Sequence, residues 1–133
     1  MQKIIYPSTD EIIEYNAFAI TLFDVKKSDN TDLLSISKLK KAIQKCKNIK
    51  GNIYDKAATL LKTIVKAHAF ASGNRRTAFV ATKAFLLNNK ARFRVKNDPN
   101  IARVMQGIRE DYYKLDEIKE WIKNGKIRKF ERK

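Results

Sequence analysis

Residues 68–78 read HAFASGNRRTA. They place the only histidine of the chain before a turn of small residues, an asparagine and two consecutive arginines. A neutral imidazole can take a proton from a hydroxyl near physiological pH. A helix that opens after a glycine turn presents unpaired N–H groups and the positive end of its dipole, which together favour an anion. Arginine forks suit phosphate because they hold two oxygens at once. Ser72, Gly73, Asn74, Arg75 and Arg76 therefore read as an anion cradle with His68 facing into it, and the chemistry they suit is phosphoryl or nucleotidyl transfer. A blander reading stands beside it. A lone histidine at the end of an apolar stripe is usually a satisfied core residue, and arginines at helix–turn–helix junctions are common.

The elements that must hold this stretch are helical. Ala57, Leu61, Ile64, Val65 and His68 recur at helical steps, so a helix runs into the histidine. Gly73 can take positive φ and Asn74 tolerates unusual backbone geometry, which breaks the pattern. A further helix is predicted from about Arg75 to Asn88. Upstream, Ser8 and Glu11 form a capping box for a helix over roughly 9–24, with Ile12, Ile13, Phe18, Ala19, Leu22 and Phe23 as its apolar residues. A polar loop follows over 25–32. Leu34, Ile36, Leu39, Ala42 and Ile43 mark a second helix ending near Cys46. Lys47, Asn48, Ile49, Lys50, Gly51 and Asn52 read as a turn, a short flap or a hairpin. Segment 92–95, RFRV, reads as a short strand. Asp98 and Pro99 signal a helix start. Leu115, Ile118, Trp121 and Ile122 mark a last helix that stops at Gly125. The tail 126–133 is basic and reads as solvated.

Composition supports one all-α domain over residues 1–133. Hydrophobic residues make up 44% of the chain, enough for a core, and four glycines with two prolines are few for an all-β fold. The net charge is +15 and unevenly spread: residues 1–35 carry 3 basic and 6 acidic side chains, residues 36–133 carry 26 and 8. This suits either a lysine-coated surface or an anionic partner. One cysteine forms no internal disulfide, and the start of the chain lacks the apolar run of a signal peptide, so a cytoplasmic setting is expected. No apolar run reaches transmembrane length, which argues against a membrane partner. One histidine and one cysteine make no zinc site.

The order His68-x-Phe70-x-Ser72-Gly73-Asn74-Arg75-Arg76 resembles the signature of the Fic/Doc family, H-x-F-x-[D/E]-[G/A]-N-[G/K]-R. With its Thr77-Ala78 ending it looks closest to the small Doc-type toxins. The resemblance covers roughly residues 5–125. It implies an all-helical single-domain bundle with a short flap or hairpin near the active-site loop. It also implies transfer of a phosphoryl or AMP group from a nucleotide, ATP above all, to a protein hydroxyl, which for Doc-type toxins belongs to a translation factor. By position, His68 would be the general base and Phe70 a buried anchor. Gly73 and Asn74 would shape the anion hole, with Asn74 touching phosphate, and Arg76 would hold phosphate oxygens. Lys47, Asn48, Ile49, Lys50, Gly51, Asn52, Ile53 and Tyr54 would form a target-docking flap that aligns the target by adding a strand at an edge.

The sequence departs from the family pattern at Ser72, where an acid would bind magnesium, and at Arg75, where the family has Gly or Lys. Magnesium is therefore in doubt. Three readings follow: metal-independent transfer helped by Arg75, a substrate other than ATP–magnesium, or nucleotide binding without turnover. No S/T-x-x-x-E-[G/N] inhibitory helix is present, so restraint would fall to a separate antitoxin chain. The alternative function is a degenerate Fic fold that binds nucleotide, nucleic acid or an acidic protein. Its candidate surface is the run Lys38, Lys40, Lys41, Lys45, Lys47 and Lys50, which reads equally well as a solvated helix face. Nucleic acid ranks behind the transferase reading because the aromatic interleaving of single-strand platforms is missing.

Overall fold

A computed structural model describes residues 3–22 and 32–131. Its six helices are α1 (Thr9–Leu22), α2 (Ile36–Asn48), α3 (Ile53–Ala67), α4 (Asn74–Asn88), α5 (Asn100–Arg109) and α6 (Leu115–Asn124). Among the described residues there is no strand, only an isolated antiparallel bridge between Leu33 and Phe70. The fold is all-α. The ends of the expected first helix at Phe23 and Asp24, the polar loop up to Thr31, and the last two tail residues lie outside the described residues.

Helix α3 is the centre of the bundle. Ala57, Leu60 and Ile64 are fully buried, Ala58 and Leu61 nearly so, and α2, α4 and α6 pack around them. The burial has to be all-round because α3 has neighbours on several sides. Helix α1 uses one face only: Ile12, Asn16, Ala19 and Ile20 are buried. Phe18, expected among the core residues, is 55% exposed. At about 100° per residue it falls on the opposite side of the helix from Asn16 and Ile20.

Local chemistry fixes most helix ends. Ser8 and Glu11 exchange side-chain-to-backbone hydrogen bonds of 3.0 and 3.1 Å at the start of α1. Asn52 and Asp55 form a capping box at the start of α3. The end of α2 is closed by a buried lysine. Lys56 Nζ donates to the carbonyls of Cys46, Lys47 and Ile49 at 3.3, 3.0 and 3.0 Å. An ammonium there satisfies carbonyls that have no intrahelical partner and lies at the negative end of the α2 dipole. Cys46 is buried beside it, and burial pushes its thiol up to about 11, with Lys56 and Lys47 opposing. Such a thiol is a core group and a poor nucleophile.

Three expectations are corrected here. Residues 47–54 are not a hairpin: α2 runs to Asn48, a four-residue turn follows, and Asn52 caps α3. The Asn52–Asp55 capping box, the Ile49 N–H bond to Lys45 O and the Lys56 ammonium hold this turn without strand pairing. Segment 92–95 is extended but not a strand, because its partner is a helix end; Arg94 N donates to Ile122 O at 3.0 Å. The tail is docked up to Phe130. Phe130 is buried, Tyr113 Oη donates to Arg128 O at 2.9 Å, and the Arg128 guanidinium lies 4.0 Å over the Tyr112 ring. Gly107 makes this possible, since a Cβ there would come within 2.5 Å of the Tyr113 ring. An apolar side chain within a basic tail thus found a hollow that its neighbours' charge concealed.

Two outcomes follow for stability. Replacing Lys56 with methionine leaves three carbonyls without a donor, so chemical denaturation should show a loss of about 1–3 kcal/mol. Asp55, Asp111 and Glu117 have carboxyl pKa values lowered by side-chain hydrogen bonds from Lys119, Lys66 and Arg128 respectively. A pKa lower in the folded state gives stability that is complete above the unfolded value and is lost as pH falls through the folded one. Melting temperature should therefore fall on acidification below about pH 4, and it should do so less in a variant lacking all three carboxylates.

Candidate functional site

The site is the loop between α3 and α4. Helix α3 ends one residue before His68, which caps it in the left-handed conformation (φ 52°, ψ 48°). Histidine is among the side chains that accept this region at modest cost. The turn takes the imidazole off the apolar stripe of α3, and His68 is exposed. It is not the satisfied core histidine that its spacing also allowed. The next two residues go inward: Ala69 and Phe70 are fully buried. Gly73 then takes φ 75° and starts α4 with no side-chain cap. A Cβ at Gly73 would lie 3.1 Å from Ile20 and 3.4 Å from Asn16, so both backbone conformation and space favour glycine.

The loop is tied from within by Asn74. Its Oδ1 accepts from Phe70 N at 3.1 Å and its Nδ2 donates to Phe70 O at 2.8 Å. These two bonds fix the orientation of the amide. The same Nδ2 lies 3.4 Å from His68 Nδ1. An amide donor makes that contact as a hydrogen bond only with a ring nitrogen that carries no proton, which is the tautomer with its proton on Nε2. The resemblance gives Asn74 a phosphate contact; in this structure its side chain braces the loop and orients the imidazole.

Two other segments hold the loop from outside. Leu34 N and Ser35 N donate to Ala69 O at 2.7 and 3.1 Å, and Ala71 N donates to Asp32 O at 2.9 Å. From α1, Asn16 Nδ2 donates to Ser72 O and to Thr77 Oγ1, both at 2.9 Å. Asn16 is 1% exposed. Sequence reading passed over it, although a lone amide on the face shared by Ile12, Ala19 and Ile20 was a signal of a buried polar role. It placed Leu34 in the second helix, whereas α2 begins at Ile36 and Leu34 is 58% exposed, and it gave residues 32–35, which carry no motif, no role at the loop.

The first turn of α4 supplies the positive potential. Without a side-chain cap at Gly73, the amides of the first turn keep their hydrogen-bonding capacity. Arg75 is exposed, and its Nη1 donates to Gln106 Oε1 on α5. Its pKa is lowered by partial desolvation of the guanidinium, then by the like charges of Arg109 and Arg76, with Glu110 opposing. Arg76 is half-buried in the same turn. The loop thus gathers His68, Ser72, Gly73, Asn74, Arg75 and Arg76 at one end of α3. Residues 47–54 are at the other end, one 15-residue helix away, about 22 Å. They do not adjoin the histidine, and residues 32–35 do.

The donors here are a serine hydroxyl, amides and guanidinium groups, which do not fit a hard divalent cation. Among the described residues no three His, Cys, Asp or Glu side chains gather to hold a metal. No helix among them is long and apolar enough to cross a membrane.

A variant test follows from the geometry. Asn16→Ala strips the Ser72 carbonyl and Thr77 hydroxyl of their donor, at a cost of about 1–3 kcal/mol. Amide hydrogen exchange over residues 69–75 should speed up in this variant more than exchange in α6.

The sequence profile of the Fic/DOC family matches residues 6–86. That span holds α1 to α3, the whole loop and α4 nearly to its end. No curated protein matches the sequence.

Proposed function

The chain belongs to the Fic/DOC family, and from that premise we propose that it moves a phosphoryl or adenylyl group from a nucleotide, ATP in the first instance, to a hydroxyl of a target protein. The family implies transferase chemistry in general. The observation that carries the reading to this chain is an exposed imidazole held by Asn74 beside an uncapped helix start bearing two arginines.

In this reading the target hydroxyl docks against His68. The imidazole accepts the hydroxyl proton while the oxygen bonds to phosphorus, and the bond to the departing phosphate breaks. For Nε2 to act as the base, the ring must first carry its proton on Nδ1. With the proton on Nδ1 the ring has to turn that nitrogen away from the Asn74 amide, because both would then be donors. The α4 amides and the arginines stabilise charge on the non-bridging oxygens. The amides are in place before the nucleotide arrives, because Asn16, Asn74 and Phe70 brace the loop. A small toxin of the Doc type, restrained by an antitoxin chain and acting on a translation factor, is the biological setting we favour.

A second reading rests on Ser72. A cradle with no carboxylate can hold a nucleotide without turning it over. One experiment separates the two. ATP labelled at the α or the γ phosphate is incubated with cell extract and the protein. Transfer of either label to a protein band, reduced by about 10²–10⁴ in His68→Ala, is the expected result. Equal transfer by wild type and His68→Ala overturns the assignment of the base. Nucleotide binding with neither label transferred supports the second reading.

A further inference from the structure

Helices α2 and α3 form an antiparallel pair. The start of α2 meets the end of α3 through the Leu34 and Ser35 bonds to Ala69, and the end of α2 meets the start of α3 through Lys56. A groove of about 520 Å³ runs along the crease between them. Lys38, Lys41 and Lys45 line one wall, Lys62 and Lys66 the other, and Leu115 adds an apolar side chain. The spacing is regular. Residues 38, 41 and 45 share one face of α2 over about 10 Å, and residues 62 and 66 are one turn apart on α3. At one end the wall includes Ala67, the residue before His68. The groove therefore ends beside the loop that carries His68.

Its charge is poorly compensated. Asp111 lies 2.6 Å from Lys66 and 3.9 Å from Lys62, so one carboxylate serves both groove-lining lysines of α3. No carboxylate among the described residues pairs with Lys38, Lys41 or Lys45. Holding like charges along one crease is unfavourable unless something anionic joins them, and the cost is relieved on binding. The run that reads in sequence as a solvated helix face is, on its 38–41–45 side, one wall of a groove.

We infer that this groove docks an acidic segment of the protein that is modified, so that its hydroxyl is delivered to His68. This rests on the reading of the chain as a protein-modifying transferase. An acidic peptide is favoured over nucleic acid by the lining. Lysines are point charges that meet flexible carboxylates, whereas no arginine fork and no aromatic ring is present to read phosphate or stack a base. Leu115, 38% exposed, offers a contact for an apolar side chain among the acids. The docking surface implied for residues 47–54 thus moves to the face of the α2–α3 pair that reaches the site.

The test is binding of a fluorescent twelve-residue peptide of glutamates with two leucines, measured by anisotropy with the full chain. The triple variant K38E/K41E/K45E should bind at least about tenfold more weakly, with steep salt dependence in wild type. A control with the same charge change elsewhere, K96E/K126E/K129E, should change affinity by no more than about twofold. Equal weakening in both variants overturns the proposal, since the effect is then one of net charge. Tighter binding of a single-stranded oligonucleotide of equal charge at this groove also overturns it, in favour of nucleic acid. If reversed charges unfold α2, the alanine version K38A/K41A/K45A gives the same reading. His68→Ala should bind the peptide as wild type does. Docking without label transfer would refute the catalytic reading alone, and label transfer with unaltered docking in the groove variant would refute this proposal alone.

Discussion

The structure of the site depends on one side-chain amide. Asn74 bonds both the N–H and the C=O of Phe70 and reaches the His68 ring. A four-residue separation between Phe70 and Asn74 lets a short side chain close the loop on itself. That closure holds the backbone in the turn that sends Phe70 inward and His68 outward. The opposite burial of two residues so close in sequence is the essential geometric feature here. It needs the left-handed turn at His68 and an anchor of large apolar area at Phe70.

The bracing is layered. Asn74 holds the loop from inside, residues 32–35 hold the Ala69 and Ala71 backbone from one side, and Asn16 holds Ser72 from below. Each layer belongs to a different part of the chain, so the loop forms only when α1, α2 and α4 are assembled around α3. Asn16 shows the constraint at its sharpest. Its Nδ2 is doubly bonded while its Oδ1 is buried with no hydrogen-bond partner. Burying an amide only partly satisfied is unfavourable, and the loop it secures is the compensation. The same division between a tied loop and an open helix start explains the electrostatics. Helices α1, α2 and α3 begin with a side-chain cap and α2 ends on Lys56, whereas α4, like α5, begins without one, and at α4 the imidazole is exposed.

Charge follows the same logic. A strongly basic chain has to distribute its repulsion. Asp55, Asp111 and Glu117 each quench one local concentration of lysine or arginine at the edges of the core. The crease between α2 and α3 is left with five lysines and one shared aspartate. That imbalance is a property of helix packing, since α2 and α3 contribute to it from opposite walls.

The helical class, all six helices to within a few residues, and the motif with its lone histidine were legible in the residues alone. These features are local: helical spacing, the Ser8–Glu11 and Asp98–Pro99 signals, and the order of residues 68–78 all act within a few positions. Tertiary structure alone decided that Asn16 and residues 32–35 support the loop, that the tail is docked through Phe130, and that residues 47–54 cap a helix one helix-length from the histidine. Those outcomes depend on which distant segments meet, and a periodic pattern along a chain carries information about the face of each helix but none about the neighbour it will face.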